Sequence, residues 1–183
     1  LPITGWAAAA GIDFLAGEYG GTGKKHRHQR IQDDLLARKA RGIDLLPQHH
    51  IAFDLSGALP DGGENSCRIK VADIVSVLSM KGITISERYK EKDAYDIYSL
   101  VVHYKEGISS SLNEVKDHLK NGLVREGMNG IVEKFKTENS VGPVWAATFM
   151  EPNDPAVAKI RQTEIFRQVF PFVEKIEKTI FKY

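Results

Sequence analysis

Residues 66–98 read SCRIKVADIVSVLSMKGITISERYKEKDAYDIY, and the changes of pattern inside this run decide the fold class. Ile69 and Val71 alternate with Arg68 and Lys70, the two-residue period of a strand with one apolar and one polar face. After Val71 the period changes. Ile74, Val75, Val77, Leu78 and Met80 are apolar almost all round, which predicts a buried helix. From Lys81 onward charges crowd in: Lys81, Arg88, Lys90, Lys92, Asp93 and Asp96. On a helix Asp93 and Asp96 are neighbours on one face, and Lys92, four residues before Asp96, is placed to pair with it. Read alone, this is a helix start, with Asp93 favoured near the positive N-terminal end and ordinary ion pairs around it.

Working upstream, His50–Leu55 is a second strand pattern, and Pro60-Asp61-Gly62-Gly63 between the two is a turn cluster, so the pair reads as an antiparallel hairpin. Ile12-Asp13-Phe14-Leu15, bounded by Gly11 and Gly17, reads as a short strand. Ile31, Leu35, Leu36 and Lys39 give a helical stripe closed by Gly42. Downstream, helices are expected over Tyr95–Tyr104, Ser110–Leu119 and Leu123–Lys136, the last two parted by Asn121-Gly122. Pro143, Pro152 and Pro155 rule out one helix across 140–155, and a final helix from about Ala156 to Phe181 carries Pro171 as a kink or break. Its Phe166, Phe170, Phe172 and Phe181 suit core packing or a dimer seam. The fold class is α/β (α+β), a mixed sheet followed by a helical half, with residues 1–80 as the α/β region and 81–183 as a helical subdomain.

The chain has 183 residues, 42% apolar and 27% charged, which is globular composition. No apolar run reaches the ~18 residues of a membrane span. The net charge of +1 selects no partner, so attraction for nucleic acid has to be local. A single cysteine, Cys67, forms no internal disulfide, fits a cytoplasmic location, and in a strand reads as a small packed hydrophobe.

Several chemical signals stay incomplete. Gly17–Lys25 sits between a strand and a helix pattern like a phosphate-binding loop, but Glu18 stands where a glycine is required and Lys25 where Ser or Thr should reach magnesium. The basic run Lys24–Arg30 is either a solvated loop or a phosphate contact. Six histidines include no zinc spacing, and no G-x-S-x-G supports a serine nucleophile.

Met80-Lys81-Gly82, Glu87-Arg88-Tyr89-Lys90 and Lys92-Asp93-Ala94-Tyr95-Asp96-Ile97-Tyr98 together resemble the late motifs of the AbiEii/AbiGii-type nucleotidyltransferase-like family, many of whose members are type IV toxins of toxin–antitoxin or phage-abortive systems. Lys81 matches the family's lysine, Arg88 its arginine, and Asp93 and Asp96 its paired acids. The resemblance covers about residues 10–105. It implies metal-dependent transfer of a nucleotide from an NTP to an RNA or protein acceptor, with Mg2+ as cofactor and an antitoxin as a further partner. Under it, Lys81 and Arg88 neutralise triphosphate charge, with Lys90 and Lys24 as further nucleotide contacts. Asp13 is a metal carboxylate, Asp96 orients Lys81 or accepts a proton, and Asp93 is the helix-capping acid of the catalytic set. Such chemistry needs acids to hold the metal and cations on the phosphates.

The family's first motif, a G-G/S turn followed by R-x-x-x-D-x-D, has no counterpart, because no D-x-D occurs in the chain. With no methionine at position 1, the expectation is the C-terminal portion of a longer protein, inactive as it stands. A non-catalytic nucleotide- or partner-binding module of the same fold is the alternative, and a nucleic-acid-binding domain built on Lys24–Arg30 is a third.

Overall fold

A computed structural model describes residues 13–18 and 28–181. The architecture is mixed α/β, and the chain divides into two compact units at the Asp44–Leu45 bond.

In the first unit, β1 (Leu15–Ala16), β2 (His28–Gln32) and β3 (Leu35–Lys39) form one small sheet in the order β1-β3-β2. β1 runs parallel to β3, and β2 antiparallel to it. The helix expected from Ile31, Leu35, Leu36 and Lys39 is therefore a hairpin. Asp33-Asp34 makes its turn and Ala37 is its buried residue. Spacings of three and four over nine residues fit a strand pair as well as a helix, and the turn-forming aspartates break the tie. Gly42, at φ 92°, turns the chain rather than ending a helix. Asp13 lies outside the two-residue strand, exposed.

The second unit opens with the expected hairpin, β4 (His50–Ala58) and β5 (Glu64–Ala72), its turn carried by Gly62 at φ 87°. Cross-strand partners Ile51–Val71, Phe53–Ile69 and Leu55–Cys67 share one face, and Ala52–Lys70 and Asp54–Arg68 the other. Both faces are exposed along nearly the whole hairpin. Cys67 is thus a surface thiol and not the packed hydrophobe its strand position suggested.

Six helices follow: α1 (Ile74–Glu87), α2 (Glu91–His103), α3 (Ile108–Lys116), α4 (Gly122–Phe135), α5 (Val141–Met150) and α6 (Pro155–Ile180). Their starts are chemically marked. Asp73 caps α1 by accepting the Ser76 N–H at 2.8 Å, Asn121 caps α4, and Asp154 accepts two N–H groups at the head of α6, where Pro155 takes the first helical position. Pro143 falls in the first turn of α5, where its missing N–H costs nothing. Pro171 lies inside α6 on its exposed side, where water can satisfy the carbonyl it displaces. Leu78, Ile97, Met128, Phe135, Ile165 and Phe172 are fully buried, and with Val115 of α3 and Ala146 and Ala147 of α5 they join all six of these helices into one core. Of the three phenylalanines inside α6, Phe172 is core, Phe166 is partly covered and Phe170 is exposed, as is Phe181 at the C-cap.

Candidate functional site

α1 is pinned from one side by glycines. A Cβ on Gly82 would collide with the backbone of Gly127 in α4, and one on Gly127 would collide with that of Ser79. The two backbones touch, which sets the face that α1 turns to α4. Lys81, about 100° round the helix from Gly82, is thereby aimed at α2. At the C-terminus of α1, Arg88 leaves the helix with extended backbone (φ −139°, ψ 155°), and Lys90 opens α2 in the same conformation.

Between these elements five charged side chains join. The Lys81 ammonium donates to Asp93 Oδ1 at 2.8 Å and to Asp96 Oδ2 at 2.6 Å. Arg88 reaches Asp93 with two groups, Nε to Oδ2 at 2.8 Å and Nη2 to Oδ1 at 3.0 Å. Lys92 donates to both oxygens of Asp96 at 2.9 Å. Asp93 is almost fully covered, its side chain 2% exposed, whereas Lys92 on the rim is 64% exposed. Three cations thus meet two carboxylates, leaving one positive charge over.

The protonation states follow from these contacts. Burial works to raise Asp93, but the hydrogen bonds from Arg88 and Lys81 outweigh it and hold its carboxyl below the usual range. Asp96 is lowered in the same way, burial opposed by Lys81 and Lys92. Burial alone would lower Lys81, yet Asp93 and Asp96 hold it above the ordinary lysine value. Lys81 is therefore a fixed cation at neutral pH, and neither acid is a proton donor there. A carboxylate held low is also a weak base, and both oxygens of Asp96 are engaged by Lys81 and Lys92.

The structure brings Lys81, Arg88, Asp93 and Asp96 into one cluster, with Lys90 exposed at its edge. Asp93 sits in the first turn of α2 but does not cap it. The cap position belongs to Lys90, and the Asp93 carboxylate turns to Lys81 and Arg88. Asp13 belongs to the first unit, and Lys24 lies outside the described residues. Lys92–Asp96 was legible from spacing. The Arg88–Asp93 fork was not, because it depends on the extended link between the helices.

Asp93 and Asp96 by themselves do not offer magnesium a free pair of carboxylates. The ion wants several carboxylate or water oxygens, and both acids here spend theirs on cations. Among the described residues no group of three or more His, Cys, Asp or Glu is placed to hold a metal. No helix among them is long and apolar enough to cross a membrane. Comparison with protein-family models, with curated proteins and with solved structures finds no match to this chain.

Proposed function

We propose that this chain carries the phosphate-neutralising side of a nucleotidyl-transfer site, acting on an NTP and an RNA or protein acceptor. The observation that supports the reading is Lys81. It is a permanently charged ammonium held by two buried or half-buried carboxylates, and two of its three N–H groups are spent on them. The third is left for a ligand oxygen. Arg88 and Lys92 stand beside it on the solvent side, so charge developing on a triphosphate meets fixed positive groups that need no reorganisation. Asp93 and Asp96 position those cations. The resemblance of residues 80–98 to the AbiEii/AbiGii-type family points the same way, and with it come a toxin role and an antitoxin partner.

The test is NTP binding and labelled-nucleotide transfer by the full chain, with and without Mg2+. Lys81→Ala is expected to weaken NTP binding about tenfold, the worth of one charge-assisted hydrogen bond to phosphate. Unchanged binding and transfer in that variant would remove Lys81 from the site. A second reading, nucleotide binding without transfer, is favoured by the spent carboxylates. Binding that depends on Lys81 with no transfer at any divalent-ion concentration selects it.

A further inference from the structure

Beside the charge network runs a row of aromatic rings that nucleotide transfer does not use. Arg88 and Lys90 both have extended backbone, and successive side chains alternate in such a segment. Arg88 turns to Asp93 while its side chain stays 41% exposed, and Tyr89 turns the other way and is 90% exposed. Its ring meets Trp145 of α5 at 5.6 Å between centroids with planes 74° apart. One turn along α5, Phe149 packs 5.0 Å from Tyr95 of α2. Trp145 thus supports a tyrosine whose ring remains open to solvent, which is the form of a stacking platform.

The two features flank the same helix. On α2, Asp93 and Asp96 face Lys81, Tyr95 faces Phe149, and Lys92 stands on the ridge between them. The distance across is one helix diameter, about 10–12 Å. An open π face on one flank and cations on the other suit a ligand that carries planar rings on an anionic backbone. Glu87 and Glu91 are also exposed nearby, so the patch is close to neutral and stacking has to supply most of the affinity.

We propose that single-stranded RNA docks across the N-terminal half of α2, with an unpaired base on Tyr89 and its phosphates over Lys92 toward Arg88. The proposal rests on the nucleotide-transfer reading and names its acceptor class. Base–aromatic stacking tolerates sequence, and its loss weakens binding about five- to a hundredfold. With two or three phosphates neutralised, log affinity falls against log salt with a slope of only about −2.

The experiment is fluorescence anisotropy of a short labelled single-stranded RNA with the full chain, without NTP or divalent ion. The expected result is binding with that shallow slope, weakened about tenfold or more by Tyr89→Ala and by less than about twofold by Tyr89→Phe. Duplex RNA of the same length binds more weakly, because its bases are already stacked. Absence of binding, equal binding by Tyr89→Ala, or equal affinity for duplex overturns the proposal. So does a proline-rich peptide that occupies Tyr89 where RNA does not. Tyr89 packs so little of its surface that thermal melting of Tyr89→Ala should match the parent chain, which separates lost docking from lost fold. Because the assay contains no NTP, its failure leaves the transfer reading standing, and failed transfer with intact Tyr89-dependent RNA binding leaves the docking site standing.

Discussion

Asp93 concentrates the risk of the charge network in one side chain. It is almost completely covered and accepts three charge-assisted hydrogen bonds. Asp93→Asn keeps the shape but turns an amide toward two cations that are left short of a partner. The expected cost is about 3 kcal/mol, the low end for a broken buried pair because Lys81 and Arg88 keep some solvent. Urea unfolding measures it. The pH dependence has a definite sign. Asp93 and Asp96 are lowered in the folded state, so their stabilisation is complete above the unfolded value of about 3.9 and is lost as pH falls through the folded values. Lys81 is raised, so its share is complete below about 10.4 and is lost as pH climbs through its folded value. Melting temperature against pH should show a plateau between these limits, and Asp93→Asn should flatten the acid limb. The residues of this network were all visible in the sequence. Their pairing was only partly so, because spacing along one helix reveals Lys92 with Asp96 and says nothing of partners on different elements.

Elements were legible where pattern and punctuation agreed. The β4–β5 hairpin combined alternation with a Pro-Asp-Gly-Gly turn, and α4 followed Asn121-Gly122, so each was found near its true bounds. β2 and β3 were misread because five-residue strands are too short for period alone to separate them from a helical turn or two. The α1–α4 seam was silent in the sequence, since glycines inside apolar helices look like weak helix formers until the partner backbone is seen. Gly127→Ala tests the seam. Helix propensity favours alanine by about 1 kcal/mol, but the new methyl meets the Ser79 backbone, which has nowhere to move. Net destabilisation of about 2 kcal/mol or more is expected, read as a lower urea midpoint with unchanged slope.

At the scale of the molecule, the mixed α/β class was readable because strand and helix periods follow one another in a single run. The division into units was not. Residues 1–80 looked like one region by their strand content, yet the second hairpin belongs with the helices and the units part at Asp44–Leu45. The second unit holds a continuous core from α1 to α6, together with the charge network. Residues 45–183 produced alone should therefore keep the helical circular dichroism of the full chain and melt cooperatively. A non-cooperative melt of that piece would show that the first unit is needed for the core to form.

The hairpin's exposed face also makes the protein convenient to interrogate. Cys67, the single thiol, lies opposite Leu55 in the middle of that face and is open to solvent. A maleimide dye placed there needs no cysteine removed elsewhere and sits away from Lys81 in sequence and on a different element. Its emission would report directly whether anything comes to rest on Ile51, Phe53 and Ile69, so the molecule arrives with its own built-in reporter position.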